Sequence, residues 1–257
     1  RIKPLALDTS SLACSVAVRV GDTVFERHEE QPREHTRLLM QLFYEELSGT
    51  AAGDVARDGG IVRVVDRERG DRVGLAMKNV PEYFECLFAI WHAGLAAVPM
   101  NAKLHATEFN YIIENSGCKA VFVTPDLNQA ITAIRPDCTN HVIDVSGPAY
   151  ADLLSASPAP ITFVEPDELA WLFYTSGTTG RPKGAMLSHR NIVAMTLNYF
   201  ADFDRVMPDD SILHPAPLSH GSGMWMFPHV CAGAVNVVPA SGGFDPAEIF
   251  DLISHWQ

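Results

Sequence analysis

The sequence has little positive charge and no long apolar run. Its 19 lysines and arginines stand against 31 aspartates and glutamates, which gives a formal net charge of −12. Because nucleic-acid surfaces normally need a basic patch, this balance argues against a nucleic-acid partner. No apolar stretch reaches the roughly 18–20 residues that a membrane-spanning helix needs, and no signal-peptide pattern opens the chain. The sequence therefore predicts no membrane span.

Paired cysteines are missing as well. The five cysteines are dispersed and form no C-x-x-C pair: Cys14, Cys86, Cys118, Cys138 and Cys231. An odd, scattered set predicts reduced core thiols in a cytoplasmic protein rather than a disulfide frame or a zinc site. No metal-binding residues are predicted.

Strands and helices alternate along the chain after Gly70. The hydrophobic content of 47% and the charged content of 19% are typical of a globular protein with ample core. The predicted strands are Val73–Met77, Ala96–Met100, Ala120–Thr124, Val142–Val145, Trp171–Thr175 and Val235–Val238. The predicted helices are one capped by Asn79 and ended by Gly94, Thr107–Asn115, Ser188–Phe200, Gly221–Ala232, and one capped by Asp245 whose Ile249, Leu252 and Ile253 face inward. The predicted fold class is α/β, with a mainly parallel sheet and helices on both faces.

A glycine- and hydroxyl-rich segment, YTSGTTGRPKG, runs from Tyr174 to Gly184 directly after a predicted strand. Glycines let a backbone approach phosphate oxygens, exposed N–H groups suit an anion, and a lysine supplies a point charge. The order of residues is not that of a Walker A loop. A plain solvent-exposed turn is the alternative. Eleven specific residues in this order favour a polyphosphate-binding loop instead. The candidate phosphate-binding residues are Thr175, Ser176, Gly177, Thr178, Thr179, Gly180 and Lys183.

This loop resembles the phosphate-binding signature of the adenylate-forming (ANL) superfamily, and the resemblance extends over about residues 70–257. GDRVGLAMKNVPEYF from Gly70, MLSHRNIV after the loop, and HPAPLSHGSGMWMF from His214 all carry it, and the last resembles long-chain-fatty-acid–CoA ligases. The resemblance implies a partial AMP-binding domain that takes ATP with Mg²⁺, a small-molecule carboxylate, and CoA as co-substrate. It also implies that Lys183 acts on the outer phosphates of ATP during catalysis.

The segment PLSHGSG places His220 at the start of a predicted helix. The resemblance implies that His220 lies near the reacting carboxylate, and we count it with Lys183 as a candidate catalytic residue. The alternative is a satisfied structural histidine. The candidate acyl pocket comprises His220, Gly221, Met224 and Trp225; an apolar helical stripe of this kind that includes Phe227 is equally compatible with plain core packing.

Two further polar residues follow the loop in the string SHRN. His189 and Asn191 are predicted to cap and pack the next helix rather than to act on substrate, with Ser188 as its N-cap.

The first 48 residues resemble the start of TsaB (YeaZ) proteins, actin-like-fold partners in tRNA threonylcarbamoyladenosine synthesis. LALDTSSLACSVAV predicts two strands around a bend at Asp8, Thr9 and Ser10, a third strand follows at Thr23–Arg27, and 33–47 predicts a helix. This is a small actin-like segment ahead of the α/β fold. Residues 49–69 are predicted to be a linker or junction.

Two families in one chain that does not begin with Met suggest a chimera or fusion. The ANL resemblance implies later elements after Gln257: a Y-G-x-T-E string, a hinge and a lysine-bearing domain. The leading hypothesis is ATP-dependent activation of a fatty acid to acyl-adenylate and acyl-CoA, incomplete in this chain. The alternatives are a TsaB-like protein that pairs with a TsaD-type partner in tRNA modification, and an inactive chimeric fragment.

Overall fold

The structure, a computed structural model, describes residues 2–8, 14–20, 23–29, 70–155, 161–175 and 181–256. The strands are β1 Ile2–Asp8, β2 Cys14–Val20, β3 Thr23–Glu29, β4 Arg72–Met77, β5 Ala96–Asn101, β6 Ala120–Val123, β7 His141–Asp144, β8 Leu169–Thr175, β9 Lys183–Ser188, β10 Ser211–Leu213 and β11 Val235–Val237. The helices are α1 Glu82–His92, α2 Ala106–Ser116, α3 Pro125–Ile134, α4 Pro148–Leu154, α5 His189–Asn198, the π-helix Tyr199–Phe203, α6 Gly221–Ala232 and α7 Pro246–His255.

The central sheet has six strands in the order β7-β6-β4-β5-β8-β9. The first five are parallel, and β9 runs antiparallel to β8 at the edge of the described sheet. Parallel strands joined by helical crossovers produce the predicted α/β architecture. The antiparallel β9 was not predicted, because its short apolar run follows the phosphate loop without a periodicity of its own.

Both faces of this sheet carry helices, as the sequence predicts. The alternation of β4 shows this directly: Val73 and Leu75 join the core cluster that contains α1 and α6, whereas Ala76 joins the cluster that contains α2 and α3. Successive side chains of a strand point to opposite faces, so a strand covered on both sides is apolar throughout. The sheet is therefore the middle layer of three.

Helix ends follow the local sequence chemistry at several predicted positions. Gly94 and Gly117 adopt left-handed φ values of +71° and +67° just after α1 and α2. Asp245 Oδ1 accepts the amides of the first turn of α7, at 2.9 and 3.1 Å. Ser188 and Asn191 form a reciprocal capping box at α5, which confirms their predicted structural role.

Three predicted elements differ in the structure. The helix expected over Ser188–Phe200 ends as α-helix at Asn198 and continues as the π-turn Tyr199–Phe203. The strand predicted at Val235–Val238 pairs with β10 in a separate two-stranded parallel sheet. Asn79 does not cap α1, whose N-cap is Pro81; the Asn79 side chain is engaged elsewhere, as described below.

The predicted inward face of α7 is wrong. None of its residues is buried: Ile253 is 49% exposed, and Ile249 and Leu252 are only half-buried. The spacing of Ile249, Leu252 and Ile253 marks an amphipathic helix correctly. Amphipathic spacing does not itself say what covers the apolar stripe, and no other described element buries it.

The N-terminal strands β1, β2 and β3 form an antiparallel meander, which confirms the three predicted strands. Each is longer than predicted, since the predictions covered Leu5–Leu7, Cys14–Val18 and Thr23–Arg27. Asp8 is the last residue of β1. Thr9 and Ser10, the helix predicted over 33–47, and the predicted linker 49–69 lie outside the described residues.

Candidate phosphate and acyl site

Strands β8 and β9 form a hairpin whose ends bracket the predicted phosphate loop. Thr175, the last residue of β8, is paired directly with Lys183, the first residue of β9. Both residues are exposed. Because directly paired residues of antiparallel strands have their side chains on the same face, the side chains of Thr175 and Lys183 lie on one face of the hairpin at the carboxyl end of β8. Ser176, Gly177, Thr178, Thr179 and Gly180 lie outside the described residues.

Both stems of the hairpin are anchored on helix α2. The Tyr174 hydroxyl donates to Asn115 Oδ1 at 2.6 Å, and burial raises the pKa of Tyr174 to about 12, which keeps this donor protonated. On the other stem, the Arg181 guanidinium lies over the ring of Tyr111, 5.9 Å from its centroid. The flanks of the loop are thus tied to a helix that belongs to the rigid sheet.

An open groove of about 500 Å³ lies between helix α2 and the second stem. Its lining includes the charged residues Glu108, Glu114 and Arg181. Because the charges are mixed and the groove faces solvent, we regard it as the outer flank of the loop and not as its ligand site.

His220 lies against the strand that leads into the loop. It occupies the N-cap position of α6, with its ring edge-on to Phe173, 5.3 Å between centroids. Phe173 stands two residues before Thr175 on β8. The imidazole Nδ1 shares a 2.9 Å hydrogen bond with Ser219 Oγ. The structure thus brings His220 next to the strand that carries the predicted phosphate-binding residues.

The predicted apolar stripe of α6 divides into two parts. Phe227 is fully buried and contacts Trp91 and Trp171, so it belongs to the core. Trp225 is 44% exposed and packs its ring on the π-turn, 5.0 Å from Phe203. Gly221 is exposed and Met224 is partly buried against the core. Core packing explains Phe227 and leaves Met224 and Trp225 as candidates for a pocket wall.

Sequence reasoning missed the residue that ties this region together, Asn79. Its Nδ2 donates to the carbonyl oxygens of His214 at 2.9 Å and Ala216 at 2.7 Å, and its Oδ1 accepts the Leu218 amide at 2.9 Å. The side chain is only 6% exposed. The available signal was a polar residue two positions after a buried strand, at the end of the sheet where α/β proteins bind ligands.

The structural role of His214, which directly follows β10, was also missed. Its Nδ1 contacts Ser222 Oγ and its Nε2 contacts Asn236 Oδ1, each at 2.9 Å. Burial lowers the pKa of His214, so the ring is neutral near pH 7. The residue therefore links β10, α6 and β11, because both ring nitrogens of its imidazole are hydrogen-bonded.

His189 has the structural role that the sequence predicts. It is 2% exposed, and its ring lies edge-on to Trp91 at 6.0 Å. Burial lowers the pKa of His189 to about 4, although the negative charge of Glu168 acts in the opposite direction and raises this pKa. A neutral histidine inside the core is a packing residue.

Comparison with known proteins decides the family. The family described as AMP-binding enzyme matches residues 62–257. The chain belongs to the AMP-binding enzymes. This is the adenylate-forming superfamily, and the relatives of the chain include acyl-CoA ligases.

Two solved or curated AMP-binding enzymes illustrate the similarity. Feruloyl-CoA synthase of an Amycolatopsis species is 33% identical over 215 residues, which cover 82% of this chain and 41% of that protein. The crystal structure of ATP-bound MatB from Rhodopseudomonas palustris is 30% identical with a TM-score of 0.70, over 79% of this chain and 42% of that one.

A third AMP-binding enzyme was solved as an N-terminal domain. The inhibitor-bound N-terminal domain of FACL13 from Mycobacterium tuberculosis is 27% identical with a TM-score of 0.68, over 79% of this chain and 51% of that one. The chain thus spans about two-fifths to one-half of the length of these relatives.

AMP-binding enzymes of this superfamily use ATP, Mg²⁺ and CoA. Within the described ranges, no group of three or more His, Cys, Asp or Glu could hold a metal ion. No helix among the described residues is long and apolar enough to cross a membrane. The resemblance of residues 1–48 to TsaB, the chimera and the TsaD-type partner stay predictions.

Proposed function

We propose that this chain carries the phosphate-binding and acyl-binding parts of an enzyme that activates a carboxylic acid with ATP, and that the acid is a fatty acid. A carboxylate oxygen attacks the α-phosphorus, pyrophosphate leaves, and an acyl-adenylate forms. The thiol of CoA then attacks the acyl carbon and AMP leaves. The activity of the whole protein is part of this proposal.

The pairing of Thr175 with Lys183 is the observation that carries the proposal. It sets the side chains of Thr175 and Lys183 on the same face of the hairpin at the carboxyl end of a strand, where α/β sheets bind ligands. Lys183 would neutralise the outer phosphates, and Thr175 would donate a hydrogen bond to a phosphate oxygen. Phosphoryl chemistry of this kind depends on positioning and on charge neutralisation.

Ser176, Gly177, Thr178, Thr179 and Gly180 would complete the cradle with hydroxyls and backbone amides. Mg²⁺ would accompany ATP, since this ion is usually bound through substrate phosphates, and would share the neutralisation of charge.

His220 is the proposed contact to the reacting carboxylate. Its edge-on packing on Phe173 keeps the imidazole beside the strand that leads to Thr175. The apolar side chains of Met224 and Trp225 on the same helix would form the wall along the acyl chain, with Gly221 leaving room at its start. A mostly apolar wall with a few polar groups is typical of small-molecule sites.

Titration calorimetry with inorganic pyrophosphate tests the phosphate site. Lys183→Ala should weaken binding roughly 10- to 150-fold, since a charge-assisted contact contributes about 1.5–3 kcal/mol. Lys119→Ala is the matched control, because Lys119 lies just before β6, at the opposite end of the sheet. Identical heats for the wild type and Lys183→Ala would contradict the proposal.

A further inference from the structure

We infer that Asn79 is a positioning residue that fixes His220 and the first turn of α6 for the carboxylate. The inference rests on the proposed function, because it concerns the acyl end of the same site. Asn79 itself has no contact with His220 among its hydrogen bonds; it acts through the backbone that leads to it.

The Asn79 amide is fully committed to one short segment. All three of its partners are backbone atoms of residues 214–218: two carbonyl oxygens that accept from Nδ2 and one amide that donates to Oδ1. A side-chain amide offers two N–H donors and one carbonyl oxygen, so each of these groups is in use. In a buried position, replacing this set would leave several polar groups of the segment without partners.

The Leu218 peptide is held from both sides. Its amide is bound by Asn79, and its carbonyl oxygen touches α6 so closely that a Cβ on Gly223 would lie 1.8 Å from it. His220 lies between these two points. Its amide donates to Pro217 O at 3.1 Å, and its carbonyl oxygen accepts from the Gly223 amide at 3.0 Å. A displacement of Leu218 must therefore move His220.

His214 fixes the other side of the same segment. Its carbonyl oxygen accepts from Asn79, its amide donates to Val237 O at 2.9 Å, and its ring reaches Ser222 on α6. Thus Asn79 and His214 hold the chain before His220, and Ser222 and Gly223 hold it just after. The contacts that anchor the two stems of the phosphate loop go to α2 instead: Tyr174 bonds to Asn115, and Arg181 lies over Tyr111.

Because the segment before His220 and the phosphate-loop hairpin are anchored by different contacts, we expect a change at Asn79 to affect carboxylate binding and not pyrophosphate binding. Loss of the Asn79 bonds should displace the imidazole and Gly221, and weaken binding of a carboxylate. It should leave pyrophosphate binding intact, because the hairpin that carries Thr175 and Lys183 does not depend on residues 214–218 for its anchoring.

Asn79→Asp is the sharpest variant. It keeps an oxygen for the Leu218 amide but sets a carboxylate oxygen against the carbonyls of His214 and Ala216. Asn140→Asp is the matched control, because Asn140 is exposed and lies just before β7. The readouts are the imidazole signals of His220 in NMR spectra, identified with His220→Gln, and the affinities for octanoate and for pyrophosphate.

In Asn79→Asp we expect shifted His220 signals, octanoate affinity lowered about tenfold or more, and unchanged pyrophosphate affinity. Unshifted His220 signals with only a lower melting temperature would overturn the inference. A parallel loss of both affinities would also overturn it. If wild-type protein binds no pyrophosphate, the proposed function fails instead.

A measurement on the wild type covers the case in which Asn79→Asp does not fold. Addition of octanoate should shift the side-chain amide signals of Asn79 together with those of His220. A shift of His220 alone would contradict the coupling.

Discussion

Lowering the pH from 7 to 5 should cost the folded protein about 2 kcal/mol through one side chain, His189. This histidine is 2% exposed and packs against Trp91. Its pKa falls from 6.5 to about 4 because burial disfavours the charged imidazole, while Glu168 acts weakly in the opposite direction. The pKa values of His189 in the unfolded and the folded protein bound the pH range in which its protonation changes the free energy of unfolding.

The sign follows from which state binds the proton. Between about pH 6.5 and pH 4 the unfolded chain carries a proton on His189 and the folded protein does not. The contribution of His189 to the stability of the folded protein is therefore complete above its pKa in the unfolded chain. This contribution is lost as the pH falls towards 4. Each pKa unit corresponds to about 1.4 kcal/mol, so the whole window contributes roughly 3 kcal/mol, of which about 2 kcal/mol lies between pH 7 and pH 5.

Urea unfolding at pH 7 and pH 5 measures this contribution. His189→Gln should be less stable than the wild type at pH 7 but should lose about 2 kcal/mol less on acidification. The control is His141→Gln, at an exposed histidine, which should keep the wild-type dependence on pH. His214 also has a lowered pKa, so a residual slope should remain in His189→Gln. Equal losses in the wild type and His189→Gln would refute the argument.

Two further predictions concern the helix ends, one for the backbone and one for a side-chain cap. Gly94 and Gly233 have almost the same φ, +71° and +72°, but a Cβ on Gly94 would lie 2.6 Å from Thr162 Cγ2, whereas one on Gly233 would meet nothing within 4 Å. Each alanine variant should lose roughly 1–2 kcal/mol for the left-handed conformation, and Gly94→Ala should lose more, as thermal unfolding would show; equal losses would contradict the contact. Asp245→Ala should cost about 1 kcal/mol of helix stability, seen as faster amide hydrogen exchange in α7, and unchanged exchange would mean that this cap does not stabilise the helix.

Much of the fold could be predicted because its signals are local. The strand β4 is apolar on both faces, and Gly94, Gly117 and Asp245 end or begin helices through their own backbone or side-chain chemistry. The bounds of α6 agree with the prediction at both ends, Gly221 and Ala232. In each case a few neighbouring residues determine the conformation.

The misses depend on contacts that are distant in sequence. Asn79 looks like a helix cap in its local sequence, but its partners lie more than 130 residues later, beginning with His214 at a separation of 135. The prediction that α7 buries its apolar face failed for the same reason, since an apolar stripe does not identify the surface that covers it. A single sequence does not identify the distant segment that contacts Asn79 or the surface that would cover α7.

The candidate site was predicted in its chemistry more than in its geometry. The residue types between Thr175 and Lys183 indicated phosphate binding, but their pairing across a hairpin depends on β9, whose strand character was not predicted. The position of His220 beside Phe173 depends on α6 packing against β8. Tertiary contacts of this kind cannot be read from spacing along one segment.

Strand β9 has a consequence for handling the protein. It is the outermost strand of the described sheet, it is short and largely exposed, and its Met186 is 71% exposed. Open strand edges tend to associate between molecules, and a lysine on the edge opposes this. Lys183 is the only charged residue of KGAMLS. The variant Lys183→Ala therefore removes a charge that opposes self-association, as well as the proposed phosphate contact. Weaker pyrophosphate binding by this variant can be interpreted only if size-exclusion chromatography shows that the protein is monodisperse.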